Sequence, residues 1–254
     1  MNIQKHKSML GAKYTGQGFE RTVAEVVNAI NEAEGVFHRG DLNVSTLIAA
    51  NSNGDFQKAL NCADLINFDG QGARLGALLL GIRPPERVTG VDLMLRLLHE
   101  AELHRFTVFF LGATDDVLAE MESKIKEEFP GLQLSGMRNG YFWGDECDVV
   151  KDINKVHPDM IFVGIKSPEK ELFIQQYKGA LATKFIMGVG GAFDVLSGKV
   201  RRAPVWMQKC GLEWTFRIYQ EPKRMWRRYL VSNTLFAKLL LIELAKSLSK
   251  KVRG

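Results

Sequence analysis

Hydrophobic positions along the chain follow two alternating patterns. In some segments apolar residues recur every three or four positions, which predicts amphipathic helices at 21–35, 90–104, 115–131 and 167–181. In others they run almost without interruption, which is typical of strands buried on both faces, at 106–113, 159–165 and 184–191. Segment 41–53 begins as extended chain, and segment 56–68 passes from a helix into a short strand. Because strands and helices alternate, the sequence predicts an α/β fold with a parallel sheet flanked by helices.

Ligands of such sheets bind at the carboxyl ends of the strands, in the loops that lead into the following helices. The sequence places five of these loops, at 41–45, 68–76, 110–116, 163–171 and 188–194. The functional residues are therefore expected in these loops.

The second of these loops places a carboxylate where a nucleotide-binding turn would begin. In the stretch LINFDGQGARLGALLLG, residues 65–81, Gly70 and Gly72 follow Asp69, but the third glycine, Gly76, comes one residue late for a dinucleotide fingerprint. A carboxylate beside a pyrophosphate would be repelled, so the pattern favours a catalytic task for Asp69. Two alternatives stay open, a helix N-cap at Asp69 and a nucleotide-dependent oxidoreductase of the Rossmann type.

Positive charge is concentrated near the C-terminus. The formal net charge is +5, but residues 201–254 contain 13 lysines and arginines against 3 acidic residues, which leaves residues 1–200 net negative. Aromatic residues alternate with arginines over 214–229, and an apolar helical pattern with cationic interruptions follows. This combination favours a body of residues 1–200 and a basic, amphipathic C-terminal appendage of residues 201–254 that binds a membrane surface. The alternative is a helix packed on the body or on another subunit.

Other classes of site lack their sequence signals. The cysteines, Cys62, Cys147 and Cys210, form no CxxC pair, and the sequence contains no Asp-x-Asp or HExxH motif. We therefore expect neither a metal nor a cofactor. No helix-turn-helix, finger or RNA-binding signature is apparent, so nucleic acid is not expected as a partner. The sequence also has no apolar run typical of a signal peptide or a membrane span, which favours a cytoplasmic protein.

Longer motifs connect these loops in a fixed order. The runs are NCADLINFDGQGARLGALLLGIRPPERVTGVDL, FFLGA, GYF, VGIKSPEKE, GVGGAFDVLSGKVRRAPVW and GLEWTFRIYQEPKRMWRRYL. With these motifs the chain resembles the WecG/TagA/CpsF family of bacterial glycosyltransferases. The resemblance implies a Rossmann-like fold with a C-terminal appendage, and transfer of a sugar from a UDP-sugar to a polyprenyl-diphosphate-linked glycan. It also implies a role in exopolysaccharide, capsule, teichoic acid or common antigen synthesis at the inner face of the cytoplasmic membrane.

The resemblance assigns roles to individual residues. Asp69 matches the base that removes the acceptor's proton in an inverting transfer, and the missing metal motif predicts a metal-independent reaction. Arg217, Arg224 and Arg227 match tail arginines that reach a diphosphate, so the appendage of residues 201–254 is also expected to close the active site. The other substrate-binding candidates are Asn43, Gly70, Gly72, Asp92, Glu171, Gly188, Gly190, Gly191, Asp194 and Arg202. Solvated surface arginines, a non-catalytic membrane-binding module and assembly into a homo-oligomer stay open.

Two loops depart from the family's pattern. Residues 41–43 read Asp-Leu-Asn where the family usually has Thr-x-Asn, so that Asp41 brings a carboxylate in place of a hydroxyl. Residues 166–171 read Lys-Ser-Pro-Glu-Lys-Glu where the family has Gly-x-Pro-Lys-Gln-Glu, so that Lys170 brings a cation in place of an amide. We interpret both changes as altered specificity for the sugar donor or the acceptor, and a degenerate active site is the alternative.

Overall fold

A computed structural model describes residues 7–32 and 34–253, without the side chains of 209, 224, 225, 228, 247, 248 and 250–253. The strands β1 (Lys7–Met9) and β2 (Ala12–Tyr14) form an antiparallel hairpin. The main sheet contains β3 (Phe37–Leu42), β4 (Leu65–Phe68), β5 (Thr107–Gly112), β6 (Gln133–Arg138), β7 (Met160–Gly164) and β8 (Phe185–Gly188). Its order is β4-β3-β8-β7-β5-β6, and all its strand pairs are parallel. The predicted α/β fold with a Rossmann-like parallel sheet is confirmed.

Helices follow most of the strands. They are α1 (Phe19–Glu32), α2 (Val44–Ser52), α3 (Gly54–Asn61), α4 (Gln71–Leu79), α5 (Gly90–His104), α6 (Asp115–Glu128), α7 (Glu146–Val156), α8 (Glu169–Tyr177), α9 (Ala192–Leu196), α10 (Val205–Lys209), α11 (Glu213–Gln220) and α12 (Pro222–Arg253). The helices and strands predicted from the apolar patterns are confirmed, but α1, α6, α8 and β8 end three or four residues before the predicted ends, and position 33 of the predicted helix 21–35 lies outside the described residues. The patterns missed the hairpin, β6 and α7, and β6 is an edge strand whose half-buried residues form no continuous apolar run.

Both faces of the sheet are covered, as the continuous apolar strands predicted. In β5, Val108 and Phe110 join a core cluster with α1, α5, α6 and α9, whereas Phe109 and Leu111 join a second cluster with α7 and α8. Because side chains alternate between the two faces of a strand, these clusters lie on opposite sides of the sheet. The helices α2 and α3 pack together, and α3 packs against α8, so both lie on the second face.

The chain changes face between two central strands. β3 leads into α2 on one face, whereas its neighbour β8 leads into α9 on the other face. The carboxyl ends of two such strands leave a crevice, which is where ligands of open α/β sheets bind. This topology brings the loops after β3, β4 and β8 to one edge of the sheet.

The C-terminal helices are attached to this body at defined points. Phe236 and Leu240 of α12 are buried in the cluster that contains β4, α2 and the buried face of α4. A Cβ on Gly76 would lie 2.5 Å from the Phe236 ring, so this glycine lets α4 and α12 approach closely. The expectation of a helix packed on the body therefore holds for this part of α12. Within the described residues no helix is both long and apolar enough to cross a bilayer.

Candidate active site

Asp69 follows β4 directly and lies at the carboxyl ends of the strands, which we call the crevice edge of the sheet. Its backbone N–H donates to the Leu42 carbonyl at 3.0 Å, so the pairing between β3 and β4 continues one residue past β4. The N-cap of α4 is Gly70, without a side-chain capping bond, and the proposed N-cap role of Asp69 is wrong. Asp69 is half-buried at the carboxyl end of the sheet.

The Asp69 carboxylate has no hydrogen bond or ion pair with the described part of the chain. Burial, followed by the nearby Asp41 carboxylate, raises the pKa of Asp69 to about 6, although Arg39 and Arg87 oppose this shift. A carboxylate with this pKa is ionised at neutral pH and is a stronger base than an ordinary aspartate. Its electrostatic setting therefore suits general base chemistry.

Arg39 is a fully buried cation that the sequence analysis missed. Its Nε donates to Asn67 Oδ1 at 3.0 Å, its Nη2 donates to the Val88 carbonyl at 3.0 Å, and its Nη1 forms an ion pair with Asp41. Because a buried arginine must have its donors satisfied, these contacts fix β3, β4 and the segment before α5 relative to one another. β3 reads Phe-His-Arg-Gly-Asp-Leu and is not an apolar run, so the hydrophobic pattern alone does not mark Arg39 as buried.

The two residues that depart from the family's pattern lie next to each other. Lys170 Nζ is 3.7 Å from Asp41 Oδ2 and 3.2 Å from Glu171 Oε1, and Ser167 Oγ donates to Glu171 Oε2 at 2.7 Å. Burial disfavours the cation, but the Glu171 and Asp41 carboxylates outweigh it and raise the pKa of Lys170. Lys170 is therefore a buried, charged member of the site, and the changed specificity assigned to it stays a prediction.

Arg87 is a second site residue that the sequence analysis did not single out. The hydrogen bond from Val88 N–H to the Phe68 carbonyl, at 2.8 Å, holds Arg87 near Asp69. Arg87 forms an ion pair with Glu213 of α11 and donates through Nη1 to the Gln208 carbonyl at 3.2 Å. The C-terminal helices therefore reach the candidate active site.

Gly211 provides a second contact between these helices and the site. This residue, in the turn before α11, has a left-handed φ of 74°, and a Cβ on it would lie 2.4 Å from Gln71 Cγ. Because Gln71 is only two residues beyond Asp69, the turn before α11 covers this side of the site.

Several predicted substrate residues have structural contacts of their own. Asn43 caps α2, since its Oδ1 accepts from Thr46 N–H at 3.1 Å, and it lies against Gly70. Gly72 lies in α4, where a Cβ would be 2.8 Å from Val44 Cγ2. Gly72 therefore serves helix packing.

Asp92 and Arg202 are ion-paired to each other, with an N–O distance of 2.5 Å. Asp92 lies in the first turn of α5, whose N-cap Thr89 accepts from its backbone N–H at 3.1 Å. The pair joins the segment after α9 to α5. It places Arg202 in a structural contact, and the substrate-binding role of both residues stays a prediction.

The loop after β8 contains the remaining glycines. Gly190 has a left-handed φ of 52°, Gly191 precedes α9, and Asp194 lies in the first turn of that helix. Gly188, at the end of β8, borders the Lys170 side chain. These backbone groups lie at the crevice edge, and their phosphate-binding role stays a prediction.

The predicted tail arginines lie on the last two helices. Arg217 is exposed on α11, and Arg227 is exposed on α12. Arg224 lies in α12, but its side chain is outside the described residues. Within the described residues, no group of three or more histidine, cysteine, aspartate or glutamate side chains could hold a metal ion.

Comparison with known proteins identifies relatives of this chain. A family model described as "Glycosyl transferase WecG/TagA/CpsF family" matches residues 7–250. A Bacillus spizizenii protein named "N-acetylglucosaminyldiphosphoundecaprenol N-acetyl-beta-D-mannosaminyltransferase" is 38% identical over 181 residues, which cover 71% of this chain and 70% of the relative. A Bacillus subtilis protein of the same name is 35% identical, covering 74% of this chain and 73% of the relative. A Staphylococcus aureus protein of that name is 26% identical, with 89% and 91% covered.

Proposed function

We propose that this chain, which belongs to the WecG/TagA/CpsF family of glycosyl transferases, transfers N-acetylmannosamine. The proposed donor is a UDP-sugar, and the proposed acceptor is a polyprenyl-diphosphate-linked N-acetylglucosamine. The names of the relatives from two Bacillus species support this sugar and this acceptor. Such a product belongs to bacterial cell-surface polymer synthesis. The proposed reaction inverts the configuration of the anomeric carbon, because a β-linked product forms from an α-linked sugar nucleotide.

The Asp69 carboxylate, which has no hydrogen bond or ion pair within the described residues, is the observation that carries this proposal. It lies at the carboxyl edge of the sheet, while the neighbouring Asp41 and Glu171 carboxylates are held in buried ion pairs. In the transfer, Asp69 takes the proton from the acceptor hydroxyl as that oxygen forms a bond to the anomeric carbon. The bond from that carbon to the UDP oxygen breaks, and UDP leaves with the electron pair.

Basic groups around the site are suited to the leaving diphosphate. Arg87 lies beside Asp69, and the C-terminal helices bring further arginines, of which Arg217 and Arg227 are exposed. Guanidinium groups bind phosphate oxygens through paired N–H donors, and turn glycines such as Gly190 expose backbone N–H groups. Together they supply positive charge without a metal ion, so we propose a metal-independent reaction.

Exposed apolar side chains support an association with the membrane surface. Leu75, Leu78 and Leu79 share one face of α4 and are exposed, and α12, which contacts α4 at Gly76, exposes Leu235 and Ile242. Lysines and arginines are abundant in the same C-terminal region. A surface of this kind inserts apolar groups between lipids while its cations attract anionic headgroups. We propose that it holds the enzyme on the inner face of the cytoplasmic membrane, where a lipid-linked acceptor lies.

A transfer assay with purified full-length protein tests the proposed function. The probes are UDP-N-acetylmannosamine and an N-acetylglucosaminyl diphosphate carrying a short lipid, and the product is identified by mass spectrometry. We expect a disaccharide product and release of UDP. A panel of other UDP-sugars shows whether N-acetylmannosamine is the preferred sugar, and NAD serves as a control that should not raise the melting temperature, unlike UDP. Absence of sugar transfer with every donor would overturn the proposal.

A further inference from the structure

Four charged side chains form a buried chain beside Asp69. Arg39, Asp41, Lys170 and Glu171 follow one another in contact, and each side chain is no more than 9% exposed. Two cations and two carboxylates balance within this chain. Asp69 is then the additional negative charge at the crevice edge of the sheet.

Lys170 is needed to complete the neutralisation of Asp41. Arg39 divides its donors among Asn67, the Val88 carbonyl and Asp41, so only part of its guanidinium faces the Asp41 carboxylate. Lys170 approaches the other oxygen, Oδ2, at 3.7 Å. A buried carboxylate that lost one of these cations would act more strongly on any neighbouring acid.

We propose that Lys170 is a positioning residue of the reaction, which neutralises the Asp41 carboxylate at Oδ2, the oxygen that Arg39 does not contact, and so leaves Asp69 ready to accept the proton of the acceptor hydroxyl. The inference rests on the proposed function, because it concerns the base of that reaction. The ion pair between Asp41 and Lys170 would then help to set the pH range in which the enzyme is active.

Gly188 lets the lysine take this position. A Cβ on Gly188 would lie 2.5 Å from Lys170 Cδ and 2.6 Å from its Cε. The lysine side chain therefore fits against the end of β8 because glycine has no Cβ. The Lys170 side chain therefore extends from α8 past the end of β8, and its ammonium group reaches the end of β3. A Gly188→Ala change would therefore displace the lysine without removing a charge.

Charged groups reach Asp69 from each element that packs around it. β3 contributes Arg39 and Asp41, the segment before α5 contributes Arg87, and α11 contributes Glu213. On α4 itself, Arg74 is held by the Pro85 carbonyl and by Gln71. A test must therefore change Lys170 while these other groups stay in place.

The Lys170→Gln and Asp41→Asn variants should shift the acid limb of the pH profile in opposite directions, and the double variant should cancel the two shifts. In Lys170→Gln, the acid limb of the kcat/KM profile should move up by about one pH unit, because the Asp41 charge is less compensated. Activity should fall by roughly 5-fold at pH 6 and by roughly 2-fold at pH 7, and it should recover near pH 8.5. In Asp41→Asn, the limb should move down, and the double variant should lie close to the wild-type profile. Lys170→Arg, which keeps the charge, should restore most of the wild-type profile.

A matched control and a charge-neutral variant separate electrostatics from folding. Lys178→Gln removes another lysine paired with an aspartate, Asp64, at the opposite edge of the sheet, and its profile should coincide with that of the wild type. Gly188→Ala should move the acid limb in the same direction as Lys170→Gln. A merely structural role for Lys170 would instead lower the rate equally at all pH values. If Lys170→Gln fails to fold, Lys170→Met and Gly188→Ala provide the same comparison.

Carboxyl ¹³C NMR of the full-length protein gives a readout that needs no turnover. The Asp69 resonance, assigned by its loss in Asp69→Asn, should titrate about one pH unit higher in Lys170→Gln than in the wild type. If the protein transfers no sugar but this shift is present, the proposed function fails while the electrostatic link stands. If sugar is transferred and neither the profile nor the resonance moves, the role of Lys170 is overturned.

Discussion

Replacing Asp69 with asparagine should separate catalysis from stability. The amide keeps the shape of the side chain but removes both the charge and the ability to accept a proton at neutral pH. As the base of the reaction, Asp69 should contribute roughly 10²- to 10⁴-fold to the transfer rate. The binding of UDP should change little, because the acceptor's proton is the target of Asp69.

The same substitution should make the protein more stable at neutral pH. The folded state raises the pKa of Asp69 from 3.8 to about 6, so the ionised form is disfavoured in the folded protein. At 1.36 kcal/mol per unit, the charge costs at most about 3 kcal/mol at pH 7. The folded state binds this proton more tightly than the unfolded state, so the wild type loses stability as the pH rises from about 4 to about 6. The advantage of Asp69→Asn should therefore be full above pH 7 and absent below pH 4.

Urea denaturation of both proteins from pH 3.5 to pH 8, alongside the transfer assay, measures the two effects. The matched control is Asp55→Asn, which removes an aspartate with a 78% exposed side chain at the start of α3. It should change neither the rate nor the pH dependence of stability. The reasoning is refuted if Asp69→Asn is less stable than the wild type at pH 7.5, or if it keeps near-normal turnover.

Three further outcomes are expected. Arg87→Met should slow transfer and raise the apparent pKa of the acid limb, because a cation that lowers the pKa of Asp69 is lost; a downward shift would contradict this electrostatic assignment. Activity should survive excess EDTA, whereas loss on chelation that magnesium or manganese restores would reveal a metal requirement. Changing Leu75, Leu78 and Leu79 together to serine should weaken flotation with anionic vesicles while transfer to a short-lipid acceptor in solution persists. Leu103→Ser, an exposed leucine on α5, is the control for that change, and unaltered flotation of the triple variant would remove α4 from the membrane surface.

The fold could be predicted because short segments of the sequence show which residues are buried. The core strands β5, β7 and β8 are continuous apolar runs, and α5 extends over the segment that its periodicity marks, from Gly90 to His104. Runs of this kind record burial on both faces, which a parallel sheet requires. The edge strand β6 is half-buried and contains Ser135, Gly136 and Arg138, so its sequence does not show the same signal.

The candidate site could be predicted only in part, because its chemistry depends on contacts between distant segments. Its place at a strand end, a property of the local sequence, is what predicts a role for Asp69. Arg39 is separated from Asn67 by 28 residues, and Arg87 is separated from Glu213 by 126 residues, and no local pattern links either pair. Asp41 and Lys170 were noticed singly as departures, whereas their proximity required the crossover that places β3 beside β8.

The contacts of the C-terminal helices connect the surface proposed to meet the membrane with the candidate site. The ion pair from Glu213 of α11 to Arg87 lies near Asp69, and the Phe236 contact of α12 with Gly76 lies on α4, the helix that follows Asp69. A displacement of these helices by a lipid surface would therefore act on both the charge beside the base and the helix behind it. Since Glu213 raises and Arg87 lowers the pKa of Asp69, separating this pair so that Arg87 faces Asp69 alone would favour the ionised base. Such a displacement would link membrane contact to the readiness of Asp69 for proton transfer through one ion pair.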